Sequence, residues 1–90
     1  MFKYTTTTLA KIEDLMKEAA YNVRYEKGNF KAGYCVLKDK RIVVINKFFN
    51  TESRINSFLD IIPTLDINDG SLSEKNIQFL KYLKEANRNN

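Results

Sequence analysis

The chemistry open to this chain is limited first by the side chains that it lacks. Its 90 residues include no histidine and a single cysteine, Cys35. Histidine is the commonest general base and the commonest zinc ligand, so its absence removes most hydrolase mechanisms and most zinc sites. Cys35 has no histidine to activate it as a nucleophile, and a lone cysteine forms no internal disulfide. The sequence therefore predicts a protein that is not an enzyme and that binds no metal or cofactor.

The acidic and glycine residues do not build a recognisable site either. Segment 66–70 contains Asp66, Asp69 and Gly70, but it lacks the alternating oxygen ligands and the closing glutamate of a calcium-binding loop. The three glycines are scattered along the chain, so they do not form a phosphate-binding loop. We interpret segment 66–70 as an ordinary turn.

Arg54 is the polar side chain whose role the sequence leaves most open. It falls in the first turn of a predicted helix, shortly after a predicted strand. The guanidinium could form an ion pair with Glu26 or Asp39 across the sheet, or it could bind the carboxylate of a ligand. A small-molecule pocket between the sheet and this helix would be lined by Tyr34, Cys35, Asn46 and Arg54.

The positive charge of the chain is concentrated in its central part. The formal net charge is +4, yet residues 22–48 hold seven basic side chains against two acidic ones, which is +5. These lysines could simply keep sheet edges soluble. They could also form a surface for an anionic partner, including nucleic acid, with nearby aromatic rings available for stacking. The seven residues of this candidate surface are Arg24, Lys27, Lys31, Lys38, Lys40, Arg41 and Lys47.

Hydrophobic periodicity predicts the elements that carry these residues. Apolar residues at helical spacing predict a first helix over about 8–20, capped by Thr8. Alternation then predicts three strands over 22–27, 31–38 and 41–47, with turns at Gly28-Asn29 and Asp39-Lys40. Two such short turns predict a three-stranded antiparallel meander.

Two further helices follow the strands. Asn50 and Thr51 are suited to cap a helix with apolar residues at i, i+3, i+4 and i+7, which Pro63 stops. Ser71 and Glu74 have the spacing of a capping box for the last helix. The predicted fold is a single α+β domain over residues 1–90, with packed helices and the order α-β-β-β-α-α. We expect loose ends at 1–7 and 87–90.

The third predicted strand is apolar on both faces, which predicts self-association. Its residues Ile42, Val43, Val44 and Ile45 leave no polar face, whereas a small antiparallel sheet normally exposes one of its faces to solvent. A meander also leaves this strand at an edge. We therefore expect a homodimer in which two such strands, or two sheet faces, pair about a twofold axis. The helices of the same chain are the alternative cover for the second face.

Composition places the protein among soluble domains of a reducing compartment. Hydrophobic residues make up 43% of the chain and charged residues 29%, and the sequence contains neither an apolar signal core nor a membrane-spanning run. The lone cysteine favours the cytoplasm. The expected function is a small non-enzymatic interaction module that binds a protein or nucleic-acid partner. The alternative is a small-molecule-binding domain that uses the pocket described above.

The segment from Arg24 to Leu59, about 40% of the chain, contains a set of residues that points to a known family: Tyr25, Lys27, Gly28, Phe30, Gly33, Cys35, Leu37, Val44, Asn46, Lys47 and Arg54. With these residues the segment resembles a family of small uncharacterised bacterial proteins. The resemblance implies a small cytoplasmic domain and brings no activity or ligand.

A second resemblance is to small zinc-peptidase domains, in which a hairpin ending in Ile-Asn leads into a helix with an arginine in its first turn. Ile45, Asn46 and Arg54 fit that outline. The helix has no His-Glu-x-x-His motif, so this resemblance implies a non-catalytic relative without the metal.

Overall fold

The chain folds into a three-stranded sheet with helices packed against one of its faces. The computed structural model describes residues 2–28 and 30–88. The expected α+β class and order of elements are confirmed. The elements are α1 (Thr6–Glu18), β1 (Asn22–Glu26), β2 (Tyr34–Leu37), β3 (Ile42–Asn46), α2 (Thr51–Ile61) and α3 (Glu74–Arg88).

The sheet is mixed, so the predicted antiparallel meander is wrong. The strand order is β1-β3-β2, with β3 parallel to β1 and antiparallel to β2. The physical reason lies in the connection after β1. Because β2 begins at Tyr34 instead of Lys31, residues 27–33 are long enough to carry the chain past the end of β3. Of the expected turn at Gly28-Asn29, Asn29 lies outside the described residues.

Successive residues of β3 form their backbone hydrogen bonds alternately to β2 on one side and to β1 on the other. On the β2 side, the Asn46 N–H donates to the Gly33 carbonyl at 2.9 Å. On the β1 side, the Arg41 carbonyl accepts from the Asn22 N–H at 2.8 Å, and the Lys47 N–H donates to the Glu26 carbonyl at 3.1 Å. With the observed register, residues 42, 44 and 46 therefore bond to β2, and residues 43 and 45 bond to β1.

The two faces of the sheet have different environments. Val43 and Ile45 are fully buried in one core with residues of α1 and α2, such as Leu15 and Phe58. Side chains alternate along a strand, so the neighbours of Val43 and Ile45 lie on the opposite side, which we call the outer face. The outer face consists of Asn22, Arg24, Glu26, Cys35, Leu37, Ile42, Val44 and Asn46.

The first helix begins earlier than the sequence indicated. Its N-cap is Thr5, whose side chain accepts a hydrogen bond from the Thr8 N–H at 3.2 Å. Residues 2–7 also depart from the expected loose end, because Phe2 and Tyr4 pack against the core. The Phe2 ring stacks on Tyr82 of α3 at a centroid distance of 5.6 Å.

The other helix boundaries follow local capping. The expected cap Asn50 is confirmed, since its side chain accepts from the Ser53 N–H at 2.8 Å. Ser73, not Ser71, caps α3, and it accepts from the Asn76 N–H at 3.3 Å. Ser71 belongs to a short 3-10 turn instead. Of the expected loose end 87–90, residues 87 and 88 belong to α3 and residues 89 and 90 lie outside the described residues.

Gly33 is the glycine on which this topology depends. It is buried with φ +82°, and a Cβ there would lie 2.1 Å from Cζ of Phe49. We expect Gly33→Ala to lower the free energy of unfolding by about 2–4 kcal/mol, because the left-handed backbone and overpacking each cost about 1–2 kcal/mol or more. Urea denaturation measures the change. The control Gly70→Ala, at an exposed glycine without positive φ, should cost less than about 1 kcal/mol; equal losses would contradict this interpretation.

Candidate interaction surface

The outer face presents a small apolar surface that the core does not include. The register aligns Cys35 with Val44, and Leu37 with Ile42. Leu37 is 44% exposed, and the other three are half-buried. None of the four belongs to the hydrophobic core of the described residues or to the partly buried side chains packed on it. We call Cys35, Leu37, Ile42 and Val44 the aliphatic patch.

The seven basic residues of the candidate anionic surface do not form one continuous patch. Lys27, Lys31 and Lys47 follow or precede strands at one end of the sheet, and Lys38, Lys40 and Arg41 lie at the other end. A five-residue strand separates the two ends by roughly 16 Å. Arg24 lies between them on the outer face, where its guanidinium forms an ion pair with Glu26 at 2.8 Å.

The guanidinium of Arg41 binds backbone carbonyls of its own chain. Its guanidinium donates to the carbonyls of Ala19 at 2.6 Å, Ala20 at 3.2 Å and Asp66 at 3.2 Å. It also lies 4.1 Å from the ring centroid of Tyr21. Arg41 therefore joins the C-terminal end of α1 to the start of β3 and to the segment before α3, and its Nε and one terminal nitrogen are occupied by these carbonyls.

Arg54 likewise binds the backbone of its own chain. Its guanidinium donates to the carbonyls of Lys47 at 2.9 Å and Phe49 at 3.1 Å, and it stacks 4.3 Å from the centroid of Tyr25. The Tyr25 hydroxyl in turn donates to the Glu13 carboxylate of α1. Burial and this hydrogen bond raise the pKa of Tyr25. Arg54 thus fixes the turn after β3 through carbonyl contacts, which is neither of the two roles that the sequence left open.

The four residues of the candidate pocket are not brought to one place. Tyr34 packs against the core, whereas Cys35 lies on the outer face because the two are neighbours in a strand. The Asn46 side chain accepts the Phe48 N–H at 2.9 Å, which closes the turn. Arg54 is bonded to the same turn and stacks on Tyr25, which packs against the core, so Arg54 and Cys35 lie on opposite sides of the sheet.

The candidate dimer strand is also placed differently from the prediction. β3 has a neighbour on each side, so it is not an edge and cannot pair with a second β3. Val43 and Ile45 are covered by the helices of the same chain. Only Ile42 and Val44, on the outer face, remain accessible to another molecule.

A polar network that the sequence did not reveal joins α1 to α3. Asn76 is 2% exposed and its amide donates to Asp14 at 3.3 Å and to Glu18 at 3.2 Å. The backbone N–H of Ser73 also donates to Glu18, and these bonds lower the pKa of Glu18. The one available signal was the position of Asn76 in the helical apolar stripe of α3. An open groove of about 550 Å³ lies alongside this network.

Comparisons with known proteins identified neither a family nor a protein of similar fold for this chain. The chain matched no protein-family model, no curated protein and no solved structure. The two resemblances therefore stay predictions. Within residues 2–28 and 30–88, no group of three or more cysteine and carboxylate side chains is placed to hold a metal ion. In the same part of the chain, no helix is long and apolar enough to cross a membrane.

The contrast between neighbouring basic residues can be tested directly. We expect Arg41→Gln to lower the free energy of unfolding by at least about 2 kcal/mol, because three carbonyls lose a charged donor. Lys40→Gln, at an exposed position of the same turn, should change it by less than about 0.5 kcal/mol. Thermal and urea denaturation measure both. Equal stabilities of the two variants would show that the Arg41 contacts contribute nothing.

The lowered pKa of Glu18 predicts a pH-dependent contribution to stability. A carboxylate whose pKa is lowered by folding stabilises the protein above its ordinary pKa, and this contribution disappears as the pH falls through the lowered value. Glu18→Gln should therefore be less stable than the wild type at neutral pH, and the difference should shrink in acid. Denaturation between pH 7 and pH 3 measures it. A difference that is independent of pH, or one also shown by Glu85→Gln at an exposed site of α3, would refute the assignment.

Proposed function

We propose that this chain is a small non-enzymatic interaction module that binds a protein partner through its outer face. The observation that carries the proposal is the aliphatic patch on the side of the sheet opposite the core. Its four side chains lie outside the core of the described residues, and a partner that covers their accessible parts removes apolar surface from water. We place the module in a reducing compartment such as the bacterial cytoplasm, where Cys35 stays a free thiol.

A protein partner fits this face better than a nucleic acid does. Single-stranded nucleic acid needs aromatic rings for stacking beside a continuous basic track. The outer face has no aromatic side chain, and Tyr25, Tyr34 and Phe49 pack against the core. Of the aromatic residues near the basic segment, Phe48 is strongly exposed, at 70%, in the turn after β3. The basic residues are moreover divided between the two ends of the sheet.

The size of the face predicts modest affinity. Three strands at roughly 4.8 Å spacing and roughly 16 Å length present on the order of 200 Å². A standard interface buries roughly 800 Å² on each partner, so the face alone would support a weak or transient complex. The lysines at the two ends enlarge the contact if the partner is acidic. A second copy, the expected homodimer, is the alternative occupant, but it would bring the same positive ends together.

Small-molecule binding has less support as a function. The pocket expected between the sheet and α2 would use the Arg54 guanidinium to bind a carboxylate. That guanidinium donates instead to the carbonyls of Lys47 and Phe49. Its Nε and one of its terminal nitrogens are therefore engaged in holding the turn after β3.

The proposal is tested by a matched set of surface variants. The double variant Leu37→Gln/Val44→Thr makes the outer face polar while it preserves side-chain volume, and Phe48→Gln removes an exposed apolar group outside the sheet. Proteins captured from native lysate by the immobilised wild-type chain are identified and purified, and each is then titrated against the three chains. We expect the double variant to bind the purified partner at least about tenfold more weakly than the wild type does. Phe48→Gln should bind it with a Kd within about twofold of the wild-type value.

Two results would contradict the proposal. One is a partner whose Kd does not change in the double variant while the circular dichroism of that variant stays native. The other is a nucleic acid as the main ligand, recognised by a steep fall of affinity with salt and by loss of binding in Phe48→Gln.

A further inference from the structure

The hydrogen-bond alternation of the sheet leaves unpaired backbone groups on its edge strands, and those of β2 can be assigned from one observed bond. The bond from the Asn46 N–H to the Gly33 carbonyl identifies Gly33 as a residue that bonds to β3. With the register, Cys35 and Leu37 also bond to β3. The N–H and C=O groups of Tyr34 and Val36 therefore point away from β3. β2 is the last strand on its side of the sheet, so these groups lie at an open edge.

The surroundings of this edge are basic and contain a groove. Lys31 precedes β2, and Lys38 and Lys40 follow it, with Asp39 as the single acidic residue of this segment. A groove of about 380 Å³ is lined by Val36, Leu37, Lys38, Asp39 and Lys40. The edge thus offers backbone hydrogen bonds, an exposed apolar side chain and positive charge at both ends.

The opposite edge of the sheet is less suited to a partner. β1 packs against α1, and its Tyr25 hydroxyl donates to Glu13 of that helix. Glu13 and Lys17 both line the groove beside β1, so an acidic segment would meet one carboxylate and one lysine there, whereas the groove beside β2 has two lysines and one aspartate. Charge complementarity therefore favours β2.

We propose that β2 accepts one extended acidic segment of the protein partner as a fourth strand of the sheet. This inference rests on the proposed function and names the partner's chemistry. The segment pairs with the N–H and C=O groups of Tyr34 and Val36. It places apolar side chains next to Cys35 and Leu37 on the outer face, and its carboxylates lie against Lys31 at one end and Lys38 and Lys40 at the other.

A second copy of the chain is a poorer occupant of the same edge. A twofold pairing of β2 with itself sets Tyr34 opposite Val36 of the other copy and Cys35 opposite its own equivalent. The Lys31 end of each copy then meets the end that holds Lys38 and Lys40. Like charges that oppose each other across strands are destabilising, and lysines at an edge are a common protection against such pairing. Cross-linking through Cys35 would nevertheless reveal this arrangement.

Two synthetic peptides test the charge requirement. Both contain alternating valine and threonine, and one carries glutamates at both ends where the other carries lysines. Fluorescence anisotropy with the full chain should show at least about tenfold tighter binding of the glutamate peptide at low salt. The variant Lys38→Glu/Lys40→Glu, which changes exposed side chains only, should reverse or abolish the preference. Equal binding of the two peptides would overturn the proposal.

A matched pair of substitutions tests the edge itself. Val36→Pro removes an outward N–H without breaking a bond to β3, as proline permits at edge strands, and Val36→Ala removes the same packing but keeps the N–H. We expect Val36→Pro to bind the glutamate peptide at least about tenfold more weakly than Val36→Ala. Equal affinities would show that the peptide does not extend β2.

The remaining outcomes separate this inference from the proposed function. If the outer-face variant Leu37→Gln/Val44→Thr loses the partner while Val36→Pro binds it as Val36→Ala does, the function stands and the fourth strand is refuted. If oxidation links two chains through Cys35 and light scattering gives twice the mass of 10.5 kDa, a second copy occupies the edge and the inference is wrong.

Discussion

The central position of β3 is the constraint on which the rest of the structure depends. Its four consecutive β-branched residues are apolar on both faces, and a strand bonded on both sides is where such residues are most buried. Val43 and Ile45 anchor the helices, and the same strand presents Ile42 and Val44 to the outer face. The position of β3 in the middle of the sheet therefore determines which residues form the core, which form the apolar surface and which strands lie at the edges.

Two arginines hold the ends of this strand in place. Arg41, just before β3, connects α1 to the segment before α3, and Arg54 fixes the turn just after β3. Both guanidinium groups bind several carbonyls at once, which the planar fork of arginine does better than lysine can. As a result, the charge open to partners is carried mainly by lysines at the two ends of the sheet. Because Arg41 binds carbonyls of its own chain, a count of the basic residues in segment 22–48 overestimates the positive charge that faces a partner.

Local patterns in the sequence predicted the elements but not the connection between strands. The alternation of residues 22–26 and 42–46, the Asn50 cap and the stop near Pro63 are local features, so they were recognised correctly. The predicted meander was wrong because residues 31–33 were assigned to β2, which shortened the connection that passes the end of β3. The roles of Arg41 and Asn76 depend on carbonyls and carboxylates far away in the chain, whereas Arg54 binds the carbonyls of the turn just before its own helix. No spacing pattern predicts such contacts.

Backbone hydrogen exchange measured by NMR tests the central claim most directly, because it reports each amide of the sheet separately. With β3 in the centre and β2 at an open edge, the amides of Cys35, Leu37 and residues 42–46 should exchange slowly. Those of Tyr34 and Val36 should exchange quickly in the free protein. Slow exchange at Tyr34 and Val36, or fast exchange along residues 42–46, would contradict the account, since the edge would then be covered or β3 would not be the central strand.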